Sequence, residues 1–225
     1  MRAVAQVRPA HPRNKVTWEV NDVLNYLLTL HPIESLDLEQ LTKKTIMLMA
    51  ILSGQRGQTL QLLNPQFMTR KTNYFSYRID KNIKTSRPGK HIGEIRFDAF
   101  PNDPRLCVVS YMHAYLDRTD SFRSADDTFF FVTYGHPNGE ASRDSIKRWI
   151  TDVLRDAGID LTIFKAHSTR SALTSAAATA HVPLDTILRT GGWSCASTFT
   201  TFYKLPIVQK NEMQTAILKR FLKKS

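Results

Sequence analysis

The sequence predicts an α+β domain, mostly α-helical, with a small antiparallel β-sheet inserted. Three observations lead there. Apolar residues recur at helical spacing from residue 17 to 63 and again from residue 105 onwards. Between those stretches, residues 73–79 and 92–97 alternate aromatic or β-branched residues with polar ones, as strands do. The connection between the two runs contains Pro88-Gly89, a turn signal.

Taken in order, residues 1–15 carry prolines and basic residues without periodicity and read as a basic flexible tail. Thr17 is a good N-cap for a helix whose Val20, Val23, Leu24, Leu27 and Leu28 share one face; His31-Pro32 stops it. Ser35 or Asp37 opens a longer helix with Leu38, Leu41, Thr45, Leu48, Met49 and Leu52 as its apolar set, and Gly54 closes it. A short helix over 58–63 ends at Asn64-Pro65. After the two strands, residues 105–116 read as a helix and 128–132 as a short strand. Residues 142–157 form an amphipathic helix ending at Gly158, and from Phe164 onwards everything reads as helix or turn.

Composition narrows the function. The 225 residues suffice for one domain with a real core. With 31 Lys+Arg against 20 Asp+Glu the formal net charge is +11, which points to a polyanionic partner, nucleic acid first. The longest apolar run, residues 46–52, is far short of the about 20 residues of a membrane span, so no membrane partner is expected. Two cysteines far apart give no disulfide framework, and the basic N-terminus lacks an apolar signal core. A reduced intracellular compartment is therefore expected.

Three segments hold candidate chemistry. Arg56 follows the helix-ending Gly54; it is either a solvated loop arginine or a cation at a helix start, where an anion is favoured. His167 and Arg170 are spaced i, i+3, which puts both on one helix face, although the pattern alone is equally that of a surface histidine. The stretch from Gly191-Gly-Trp193 to Phe199, Phe202 and Tyr203 is either aromatic core or a partly exposed edge that carries the Tyr203 hydroxyl.

In order along the chain, these segments resemble the tyrosine recombinase (phage integrase) family, which includes Cre and the Xer recombinases. The strings SGQRGQTL, IKTSRPGK, HSTRSALTSAA, GGWS and FYKLPI are most similar to the eukaryotic retrotransposon and Crypton-type branch. The resemblance covers roughly residues 16–210. It implies that Arg56 and Arg170 hold a scissile phosphate and that Tyr203 attacks it to form a 3′-phosphotyrosine. His167 and Trp193 would position the phosphate and nucleophile. Lys84, in the hairpin turn, would protonate the leaving 5′ oxygen, with Lys90 as its rival. The resemblance further implies double-stranded DNA as partner, no metal and no small-molecule cofactor. It also implies self-association through a C-terminal helix over 208–222, whose own pattern is equally that of a self-packed amphipathic helix, and a nuclear location if the source is eukaryotic, otherwise cytoplasmic. A type IB topoisomerase-like enzyme and a non-catalytic DNA-binding module derived from a recombinase are the alternatives.

The chemistry suits these residue types. Two guanidiniums grip phosphate oxygens bidentately and stay charged. A phenol with a pKa of about 10 needs positive surroundings and alignment to act as a nucleophile. Three features depart from the family pattern. Thr59 stands where many bacterial relatives have a carboxylate. The Trp193–Tyr203 spacing is one residue longer than the common bacterial one, which would put Phe202 in the tyrosine's place; phenylalanine has no hydroxyl, so Tyr203 is chosen. Finally, residues 16–225 read as a catalytic domain without the N-terminal core-binding domain that usually precedes it.

Overall fold

A computed structural model describes residues 15–79, 94–124, 126–135, 137–193 and 196–208. The first helix, α1, covers Val20–Thr29 and buries Val20, Val23 and Leu27. Its cap is Glu19, whose carboxylate accepts from Asn21 N, and not Thr17. Thr17 is instead held two residues further out by a parallel bridge to Ile207, a partner no local pattern reveals. The central helix α2, Leu38–Ser53, begins at a capping box in which Asp37 and Gln40 satisfy each other's backbone N–H groups. It ends at Gly54, whose φ of 62° is the left-handed cap that glycine takes without strain. Leu41, Ile46, Leu48 and Met49 are at most 1% exposed. At about 1.5–3 kcal/mol for each such side chain removed from water, they make α2 the pillar of the core.

Helix α3, Gly57–Gln61, follows the corner after α2. The sheet has strands β1 (Met68–Arg70), β2 (Tyr74–Tyr77) and β3 (Ile95–Asp98) in the order β1-β2-β3, both pairs antiparallel. Met68 pairs with Tyr77, which in turn pairs with Ile95. Phe75, Tyr77, Ile95 and Phe97 enter the core, while Arg96 and Asp98 form an ion pair outside. β2 and β3 are the two expected strands; β2 is shortened at both ends, and β3 runs one residue further, to Asp98, while residues 92–93 lie outside the described residues. β1 was not anticipated, because Met-Thr-Arg is too short and polar to show alternation. The strand expected over 128–132 reduces to an isolated bridge, Val132 to Glu140. Residues 80–93, which carry Lys84 and Lys90, lie outside the described residues.

Helix α4, Val108–Thr119, follows a 3₁₀ turn at Pro104–Leu106, and α5, Arg143–Asp156, is capped by Ser142 and ends before Gly158. Helices α4, α5 and α6 (Thr169–Thr179) all pack on α2. Two short helices, α7 (Leu184–Gly191) and α8 (Ala196–Phe202), build a second apolar cluster of Ile187, Trp193 and Phe199, with Tyr203 packed against it. The helix expected over 208–222 lies outside the described residues apart from Val208, whose N–H donates to Thr17 O at 2.7 Å.

One buried charge serves the fold itself. Lys44 is fully buried in α2 and donates to Leu27 O, Leu30 O and Tyr111 Oη, each at 2.7 Å. It thereby closes the C-terminal end of α1, where a cation meets the negative end of the helix dipole.

Candidate active site

Arg170 lies in the first turn of α6, and only 4% of it is exposed. Its Nη2 donates to Gly191 O at 2.9 Å, whereas Nε and Nη1 are buried without a hydrogen-bond partner. No described Asp or Glu pairs with it. Burial, and then the positive charge of nearby Arg56, lower its pKa to about 9, with Tyr203 acting in the opposite direction. At neutral pH the guanidinium keeps its charge. Leaving buried donors unpaired costs about 1–3 kcal/mol each, more when they are charged. A protein that keeps such a group has two donors ready for an anion.

Arg56 reaches this neighbourhood from the corner between α2 and α3. Gly54 turns the chain, with its Cα face 3.4 Å from Leu173 Cδ2 when extended by a Cβ. Gln55, 5% exposed, ties the corner to α7 through Nε2 to Thr190 O at 2.9 Å. Arg56 itself is the half-buried N-cap residue of α3, in extended conformation. Thr59, in α3, is 1% exposed and apolar-packed rather than presented to solvent.

Trp193 forms one wall. Its ring lies 4.1 Å from the Arg170 guanidinium carbon and 5.6 Å from the Phe199 ring. It sits so closely over Gly191 that a Cβ there would come within 1.7 Å of Cζ3. Tyr203, half-buried directly after α8, meets the Trp193 ring edge-on at a centroid distance of 4.8 Å and has Arg170 5.4 Å from its own ring. Ser175 in α6 fixes the backbone here: its Oγ donates to Tyr203 O and accepts from Leu205 N, both at 2.9 Å.

The structure thus brings Arg170, Trp193 and Tyr203 into direct contact and places the charge of Arg56 close enough to act on Arg170. His167 stands on a 3₁₀ turn, Ala166–Ser168, that runs into α6, and its side chain is exposed. Lys84 lies outside the described residues. Motif reading passes over Gln55, Ser175 and Trp18, whose indole Nε1 donates to Ser168 Oγ at 2.8 Å. Their partners stand far off in sequence, so no local signal marks them.

The chain matches no known protein-family profile and no curated protein. Solved structures do match its fold. XerA recombinase is 16% identical, with a TM-score of 0.60 over 95% of this chain and 65% of that one. The Tn1549 transposon integrase in complex with transposon right end DNA is 11% identical, with a TM-score of 0.62 over 96% and 69%. A lambda integrase dimer bound to a core site is 15% identical, with a TM-score of 0.53 over 91% and 64%. The chain spans 65%, 48% and 52% of XerA and two XerH recombinase structures, about half to two thirds of their length. The chain has the fold of the α+β catalytic domain of tyrosine recombinases.

Proposed function

We propose that the protein cleaves and rejoins DNA through a 3′-phosphotyrosine at Tyr203, as the recombinase or integrase of a mobile element. The observation that carries this reading is the buried Arg170 guanidinium, with Nε and Nη1 unpartnered, packed against Trp193 and beside the Tyr203 ring. Such a group suits a phosphodiester, whose non-bridging oxygens gain charge as the phenol attacks. Arg56 supplies the second positive charge. Tyr203 Oη gives up its proton to water and forms the new bond to phosphorus, while the bond to the 5′ oxygen breaks and that oxygen leaves with a proton, for which the resemblance makes Lys84 the donor. The phosphotyrosine keeps the energy of the broken bond, so a 5′ hydroxyl can reverse the step. Support for DNA as partner comes from the net charge of +11 and from fold neighbours solved on DNA, among them the transposon integrase and XerH on its difH substrate. The Crypton-type branch and the nuclear location rest on the motif strings alone.

The test is a pool of nicked duplexes of randomised sequence, in which cleavage near the nick releases a short strand and traps covalent protein. Wild type should form an adduct that Tyr203→Phe does not. No adduct across the pool would favour a binding module. Strand exchange between two captured, labelled duplexes then separates a recombinase from a nicking-closing enzyme.

A further inference from the structure

Two adjacent residues near the start of the described chain touch both halves of the candidate site. Thr17, 1% exposed, makes a parallel bridge to the strand that leaves Tyr203: its N–H donates to Pro206 O at 2.8 Å, and its carbonyl accepts from Val208 N at 2.7 Å. Trp18, 2% exposed, points to the other half and donates from Nε1 to Ser168 Oγ at 2.8 Å. Ser168 Oγ in turn donates to Lys165 O at 2.7 Å, so this hydroxyl is engaged on both sides. It belongs to the turn that carries His167 and lies two residues before Arg170.

The segment after α8 is held at several points: Tyr203 N and Lys204 N donate to Phe199 O, and the Tyr203 ring packs on Trp193. Beyond α8 the chain is held at Ser175 Oγ, through Tyr203 O and Leu205 N, and next at Thr17. The bridge uses the Pro206 carbonyl and the Val208 amide, the groups on either side of Ile207, as parallel pairing requires. The guanidinium and the phenol stand on different elements, α6 and the end of α8. Their separation is set by whatever ties those elements together, and small misplacements of reacting groups are costly.

We propose that Thr17-Trp18 is a positioning strap that keeps the exit strand of Tyr203 in register with the turn leading to Arg170, and that Trp18 is its key positioning residue. Its structural part stands independently; its catalytic consequence rests on the function proposed above. Trp18 touches neither phosphate nor nucleophile and acts through Ser168 and Thr17. Loss of its N–H loosens the turn on one side and, through the adjoining peptide, the bridge on the other.

The experiment compares wild type with Trp18→Phe, which keeps an aromatic ring but loses the N–H donor and part of the buried indole, and with Ser168→Ala, which leaves the indole whole and removes the acceptor along with the bond to Lys165 O. Amide exchange is followed at Ser168, Leu205 and Val208, with α2 as internal reference. Adduct formation and duplex affinity are measured on the randomised nicked pool. Both variants should speed exchange at the three amides about tenfold, the scale of one buried hydrogen bond, and leave α2 unchanged. They should slow adduct formation by a similar factor while duplex affinity stays within twofold. Unchanged exchange at Leu205 and Val208 overturns the strap. Exchange that speeds equally in α2 overturns it too, in favour of plain core packing. Fast exchange with an unaltered adduct rate removes the positioning role. If wild type forms no adduct, the proposed function fails and the exchange data alone decide the strap.

Discussion

Gly191 accepts a hydrogen bond from Arg170 Nη2 and at the same time forms the floor on which Trp193 rests. The Trp193 contact depends on the missing Cβ, since the added carbon would sit 1.7 Å from the indole, whose ring in turn packs against the Arg170 guanidinium. Gly191→Ala should therefore push Trp193 off its seat and release Arg170. The expected cost is about 1–3 kcal/mol of stability, the usual scale of overpacking. Adduct formation should fall much further, on the order of a hundredfold, as a mispositioned arginine would dictate. Near-ultraviolet circular dichroism, thermal melting and the adduct assay check the three parts.

Arg170→Met separates stability from function. The arginine is a buried cation with two unpaired donors, so exchanging it for an apolar side chain of similar length should leave the free protein at least as stable. Sulfate should raise the melting temperature of wild type more than that of the variant, because anion binding favours the native state only where a site exists. Adduct formation should vanish. A variant that melts well below wild type would show that Arg170 serves the fold.

Lys44 gives the protein a pH-dependent stability. Burial lowers its pKa to about 7 from 10.5, with Asp103 opposing and Arg105 assisting the shift. Between these values the unfolded chain binds a proton that the folded chain has released. Stability should therefore rise with pH across that window, and the burden should be complete below about 7. Urea denaturation at several pH values, in wild type and Lys44→Met, measures it; the variant should lose the Lys44 part of the slope.

Self-association through residues beyond 208 can be tested by truncation, and the structure says where to cut. Ending the chain at Pro206 would remove Val208 N, which donates to Thr17 O, and would confuse assembly with loss of the bridge. A chain ending after Val208 keeps it. Sedimentation on DNA should show lower assembly for that chain than for the full one, with duplex binding by the monomer retained.

Local chemistry made much of this legible. Asp37, Gln40 and Gly54 announce both ends of α2 because caps are made by neighbours in sequence. Ser142 does the same for α5. The ordered set of Arg56, Lys84, His167, Arg170, Trp193 and Tyr203, through the family resemblance it carries, pointed to one site, and of these Arg170, Trp193 and Tyr203 stand in direct contact. What escaped depends on distance along the chain. Thr17 has the composition of a helix cap, yet its partner is Ile207, and a tertiary bridge outweighed the local preference. β1 exists only because β2 lies beside it. Gln55 and Ser175 read as ordinary polar residues until Thr190 and Tyr203 are seen next to them.

The bridge between Thr17 and Ile207 also makes the described chain a nearly closed circuit. At that bridge the first and last described segments run side by side in the same direction, with Thr17 bonded to Pro206 O and Val208 N. On the trailing side the bridge begins at Pro206, shortly after Tyr203. A pull on Thr17 is therefore shared between the core that holds Trp18 and the trailing segment bonded to Thr17.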